Sequence, residues 1–175
     1  PDNAVLLIAG RFDEAKTLAL VNRIFGAIPK PKRTMPALYT LDPTQDGERQ
    51  VMLERVGDVQ AIAVAYHTPS GSSPESGAID LLTEILTDTP SGRLYKALVE
   101  TKKATSVSGY FMALHDPGFA MFDAEVRQHE SDSDAHTAML ETLDAAAGGE
   151  PITDQELQRA RASLLKNIEL TLNSA

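Results

Sequence analysis

Four histidines, His67, His115, His129 and His136, are the side chains of this sequence best suited to bind a divalent metal or move a proton near neutral pH. Two ligands on one helical face stand at i and i+4, and no two of the four do. His129 and His136 are seven positions apart in an acidic, helix-starting segment, and they read as solvated surface side chains. With no cysteine, thiolate metal sites and disulfides are both ruled out. The carboxylates Glu125, Glu130, Asp132 and Asp134 lack the glycine and ligand spacing of a calcium loop and read as a solvated face. Arg93 is the remaining charged candidate. It falls in the first turn of an expected helix, where the dipole disfavours a cation, so a local carboxylate is expected to compensate it. Two roles are open to it: a substrate-facing or interdomain cation, or an ion pair with Asp88, Glu84 or a neighbouring strand carboxylate.

These residues sit in a chain of 175 residues, 42% hydrophobic, enough to bury one substantial core with some flanking structure. A net charge of −9 and a pI near 4.8 argue against nucleic acid and against anionic membrane surfaces. No apolar run reaches the roughly 18 residues of a spanning helix, so a soluble acidic protein of the cytoplasm or periplasm is expected. The sequence opens on Pro1-Asp2-Asn3 and stops at Asn173-Ser174-Ala175 straight after a helical pattern, which gives the expectation of an excised fragment.

The expected elements alternate. Ala4 to Ala9 is a continuous apolar run suited to a buried strand. Asp13 caps a helix with Ala15, Leu18, Val21, Asn22 and Phe25 near one face and Gly26 as its stop. Ile28 to Pro36, with three prolines, is a linker or crossover. Gln50 to Val56 and Gln60 to Tyr66 are strands meeting across Gly57-Asp58. Ser73 caps a helix with Pro74 at its first position, whose stripe Ile79, Leu82, Ile85 and Leu86 runs to about Thr87. Ser91 caps a second helix through Lys102. Strands Thr105 to Leu114 and Phe119 to Arg127 form a hairpin about His115-Asp116-Pro117-Gly118. Asp132 or Ser133 opens a helix to Ala147, Gly148-Gly149 ends it, and Thr153-Asp154-Gln155-Glu156 is a capping box for a last helix to about Leu172. Strand-strand-helix-helix, repeated, gives an α+β fold: an antiparallel sheet with helices on one face.

Two stretches carry a family resemblance. One is the Gly92-Arg93-Leu94-Tyr95 helix start within Asp88 to Glu100, leading through Thr101 to Ala104 into Thr105 to Phe111. The other is Pro1 to Gly10, followed by Phe12-Asp13-Glu14-Ala15 and the helix ending Ile24-Phe25-Gly26. Together they span most of the chain, which resembles the insulinase/pitrilysin family of zinc metallopeptidases, the inverzincins. The resemblance implies the LuxS/insulinase-like metallopeptidase fold in duplicated domains. Residues 1–36 would then close a preceding domain and its linker, and residues 37–175 would form the next, non-catalytic copy.

The His-x-x-Glu-His helix of such enzymes is absent from this sequence. Aligned on Gly77-Ala78-Ile79-Asp80-Leu81-Leu82-Thr83-Glu84, the resemblance puts Asp80 and Glu84 where the two histidine ligands would be and Thr83 in the place of the base. Threonine is no general base near neutral pH, and a lone carboxylate pair holds zinc poorly. The Leu-Arg-Glu segment that presents an Arg and a Tyr to substrate in the family becomes Leu98-Val99-Glu100, with Val99 in the Arg place and Thr105 or Ser106 in the Tyr place. Arg93, Tyr95 and Tyr110 remain as substrate or interdomain contacts.

In function, the resemblance implies a non-catalytic domain of a bacterial zinc metalloendopeptidase, forming part of a chamber for peptides or unfolded segments. No catalytic or metal-ligating residue is expected in this fragment, and zinc belongs to the parent's upstream domain. The alternative is a structural or chaperone-like subunit of an inactive homologue. Expected partners are a peptide substrate through the full-length protein and other domains of the same chain. The strand Ala4 to Ala9, without its neighbours, also predicts self-association.

Overall fold

The computed structural model describes residues 4–34 and 44–173. The chain divides into two compact units, Pro1–Met52 and Leu53–Ala175. Part of the expected linker, Met35 and Pro36, lies outside the described residues, as does the 36/37 boundary.

In the first unit the described regular element is α1, Glu14–Phe25. Its start follows the sequence: the Asp13 carboxylate accepts from the Lys16 N–H at 3.1 Å, and Gly26 closes the last turn onto the Asn22 carbonyl at 2.9 Å. Residues 4–9 form no strand, contrary to expectation. An apolar run becomes a strand only when a ladder satisfies its backbone, and among the described residues of this unit nothing pairs with it.

The second unit is built on a three-stranded antiparallel sheet in the order β1-β3-β2. Its strands are β1 (Val59–Thr68), β2 (Ser106–Met112) and β3 (Gly118–Arg127). β2 and β3 form the expected hairpin, and β1 pairs with the far side of β3, from Val59 opposite Arg127 to Thr68 opposite Gly118. The expected first strand, Gln50 to Val56, is not formed: its apolar residues are exposed and it joins no ladder among the described residues. Alternation sets which side chains would share a face, but it supplies no partner for the backbone.

Along β3 the inward residues Ala120, Phe122, Ala124 and Val126 are buried, whereas the intervening Phe119, Met121, Asp123, Glu125 and Arg127 are half-buried or exposed. The helices cover the inward face. α2 (Ser76–Thr87) packs on β2, α3 (Asp132–Asp144) packs on β1, and α4 (Asp154–Asn173) packs against α2. Leu86, Leu94, Leu98, Met139 and Leu143 meet Ile62, Phe122 and Val126 in one core.

Two helix starts differ from expectation, each because a hydroxyl is engaged elsewhere. Ser73 donates to the Glu75 carboxylate and accepts no helical N–H, so turns occupy Ser73 to Glu75 and the helix begins at Ser76. Ser91 donates to Asp88, and the chain after Arg93 and Leu94 widens into a π-helical segment, Tyr95–Glu100. α3 opens at Asp132, as expected, and Ser131 caps it by accepting from the Asp134 N–H at 3.1 Å. α3 also stops at Asp144 and runs on as a π-helical turn, Ala145–Gly149.

Two backbone positions yield a stability test. Lys102 ends the π segment at φ 65°, a left-handed conformation that costs any residue with a Cβ. Gly109 lies where α2 presses on β2: a Cβ there would stand 2.7 Å from Thr87 Cγ2 and 2.9 Å from Phe122 Cδ1. Lys102→Gly is expected to raise stability by about 0.5–1 kcal/mol, and Gly109→Ala to lower it by about 1–3 kcal/mol. Urea unfolding followed by circular dichroism measures both.

Candidate functional site

α2 carries the three positions singled out by comparison with the zinc helix. Asp80 is exposed and, with Gly77 and Leu81, borders a groove of about 510 Å³ against Leu164, Leu165 and Ile168 of α4. Thr83 points the other way. It is 5% exposed, and its hydroxyl donates to the Ile79 carbonyl at 2.8 Å, the back-bond of a threonine inside a helix. Glu84 is half-buried. Among the described residues no three His, Asp or Glu side chains converge as a metal group. The four histidines lie on separate elements: His67 near the end of β1, His115 in the hairpin turn beside Asp116 at 3.3 Å, His129 after β3 and His136 in α3.

Arg93 is the centre of a polar clamp. Its Nε and Nη2 donate to the two oxygens of Glu156 at 2.8 and 2.9 Å, and Nη1 and Nη2 donate to the carbonyls of Glu150 and Pro151 at 2.9 Å each. Both side chains of the pair are largely buried, at 13% and 16% exposure. The partner is neither Asp88 nor Glu84; Asp88 instead pairs with Arg159 at 3.4 Å and accepts from Ser91. Glu156 also closes the expected capping box, accepting from the Thr153 N–H at 2.9 Å while its own N–H donates to Thr153 Oγ1 at 3.3 Å. Hydrogen bonds from Arg93, with smaller help from Thr153, push the Glu156 carboxyl down to about 2 against the opposing effect of burial.

Tyr95 is half-buried in the π segment, away from the sheet face that holds Tyr110. Tyr110 lies on the outward face of β2, its hydroxyl 3.8 Å from Met121 Sδ and its ring edge-on to Phe119 with centroids 6.0 Å apart. The register lays that face out in rows running from β1 through β3 to β2. These are His67, Phe119 and Met112; Ala65, Met121 and Tyr110; Ala63, Asp123 and Ser108; Ala61, Glu125 and Ser106. Ser108 Oγ lies 2.8 and 2.9 Å from the two Asp123 oxygens. Among the described residues no helix of this unit packs on these rows. Of them, sequence reasoning names Tyr110, His67, Glu125 and Ser106 singly; the period-two pattern of Phe119 to Arg127 is the signal that could have grouped them.

The sequence matches the model of the family described as the peptidase M16 inactive domain over residues 1–164. A curated relative, the zinc protease PqqE of Helicobacter pylori, is 25% identical across 97% of this chain, and the chain spans only 39% of that protein. A solved inactive peptidase domain from Bordetella parapertussis is 40% identical, with a TM-score of 0.62 over 70% of this chain and 66% of its own. A solved Helicobacter pylori protease, 22% identical, shares the fold at a TM-score of 0.82 over 93% of this chain and 40% of its own.

The clamp predicts a pH dependence. Because the folded carboxyl titrates below its ordinary value, the stability it contributes is complete above about pH 4.3 and is lost as pH falls towards about 2. Glu156→Gln should flatten the fall in melting temperature across that window. Arg93→Met, which keeps the aliphatic stem, should cost about 1–3 kcal/mol at pH 7. Calorimetry from pH 6 to 2 on the three proteins checks both.

Proposed function

The chain belongs to the peptidase M16 family as a copy of its inactive domain, and from that premise we propose that it is the non-catalytic wall of a zinc metallopeptidase, presenting its open sheet face to a peptide while another domain of the same protein cleaves it. The observation that carries this reading is the state of α2. Thr83 is turned into the core with its proton committed to Ile79, and if α2 is aligned with the zinc helix as the resemblance implies, it takes the place of the base, with Asp80 and Glu84 in the places of the histidine ligands. Zinc in the upstream domain would supply a metal-activated water. This chain contributes binding: the edge of β1, which no strand joins among the described residues, and the apolar rows beside it suit an extended polypeptide.

Other parts of the chain fit the same arrangement. The Helicobacter pylori relative that bears the name zinc protease is longer, which leaves room for a second domain. In this reading residues 1–36 close that preceding domain and its linker, and the exposed run at residues 4–9 pairs within it. Isolated from those neighbours, the run is free to pair between chains, so the isolated chain self-associates. Arg93 and Tyr95 act structurally or at an interdomain surface, and Tyr110 is the contact to peptide. No helix among the described residues is long and apolar enough to cross a membrane.

Two outcomes are expected. Purified without chelators, the chain holds substoichiometric zinc and leaves a quenched peptide library uncut, with turnover appearing when the upstream domain is supplied. One tightly held zinc per chain with chelator-sensitive cleavage would contradict the reading. In the full-length protein, Tyr110→Ala with Met121→Ala raises KM about 3- to 10-fold and leaves kcat nearly unchanged, the pattern of lost uniform binding. Steady-state kinetics on an unstructured peptide reads this out.

A further inference from the structure

Resting on the reading of the open face as a peptide wall, we propose that this face selects polypeptides that combine an apolar or aromatic residue with a cationic one a few positions away. Chemistry is unevenly distributed along the rows. At one end His67, Phe119, Met112, Met121 and Tyr110 make a patch with two aromatic rings and two thioethers. On the next two rows, Asp123 and Glu125 put two carboxylates on the same face of the central strand, two residues apart. In a strand that spacing is about 7 Å, so an extended peptide lying along the sheet places a cation over one while its apolar residue reaches the aromatic end.

The edge strand leaves room for such a chain. On this face β1 carries Ala61, Ala63 and Ala65, side chains short enough for another backbone to approach closely. Ser108 holds Asp123 in place, and a carboxylate bound to one hydroxyl retains acceptor capacity for a guanidinium or ammonium. A second copy of the same face is a poor occupant. It would set these carboxylates against their own kind in a chain whose net charge is already −9.

The test measures anisotropy of labelled 12-residue peptides added to the 175-residue chain, with sedimentation velocity run alongside. The peptides share a Phe-Leu core and differ in carrying Lys and Arg, only Ser and Gln, or Glu. We expect the cationic peptide to bind at least about 10-fold tighter than the acidic one, with the ratio shrinking as salt rises. Asp123→Asn with Glu125→Gln should bring that ratio below about 3-fold, while Tyr110→Ala weakens all three peptides. Asparagine still accepts from Ser108, and an unchanged melting temperature confirms that the double variant is folded.

If all three peptides bind alike, or the preference survives the double substitution, charge selection is wrong while the wall reading stands. If no peptide binds, or the face is taken up by a dimer that Tyr110→Ala breaks, the inference is overturned. The wall reading is then judged separately by the KM of the full-length protein.

Discussion

A strand in the middle of a sheet must satisfy two sets of neighbours with one alternating sequence, and in this unit that strand is β3. Its backbone is paired on both sides, to β1 and to β2. Its inward side chains alternate small and large, with Ala120 and Ala124 flanking Phe122, so helices can sit close. Gly109 across the hairpin continues that economy, because α2 reaches the sheet at a point where even a methyl group would collide with Thr87 and Phe122. Burying one face so completely fixes the register. It also fixes what the other face must show, and there Phe119, Met121, Asp123 and Glu125 have no described helix of this unit above them.

The helix layer is held by a different kind of interaction. α4 contributes little to the apolar core, with Ala160 its one buried side chain among the described residues. Its start is instead pinned by polar contacts: Glu156 to Arg93 and Thr153, and Arg159 to Asp88 and to the Ser91 carbonyl. A bidentate arginine that also takes two backbone carbonyls fixes direction as well as distance. That use of all its nitrogens argues for a structural role, since little of the guanidinium is left to meet a peptide. The charge expected to be unfavourable at the start of a helix is compensated from 63 residues away along the chain.

Local signals carried most of the elements. Asp13 before an apolar periodic stretch, the Thr153-to-Glu156 box and the hairpin connection that Pro117-Gly118 signals each act through neighbours close in sequence, and each is found. Ser73 and Ser91 misled because a nearby carboxylate competed for the hydroxyl, Glu75 in one case and Asp88 in the other. Gln50 to Val56 misled because alternation describes a strand's faces and says nothing of whether a partner is present. The Arg93–Glu156 pair was out of reach for the same kind of reason: charge alone cannot choose among 25 acidic residues, and the choice is made by how α4 folds back. The site was recovered only in part. Asp80, Thr83 and Glu84 could be compared with a motif position by position, whereas the open face exists only once β1, β3 and β2 are laid side by side.

A duplicated fold can give up chemistry without giving up shape, and α2 illustrates how. In the proposed alignment of α2 with the zinc helix Thr83 takes the place of the base, and its side chain turns inward and bonds its own helix, so the position serves packing. What such a copy keeps is surface, and the central claim is that its open sheet face meets the peptide. The most direct measurement is photo-crosslinking of a non-cleavable peptide in the full-length protein, with a benzophenone side chain placed at position 110 or, as the comparison, at position 166 on the outside of α4. The account predicts efficient adducts from position 110, competed away by unlabelled peptide, and background from position 166. Equal yields from the two positions, or adducts from α4 alone, would contradict it.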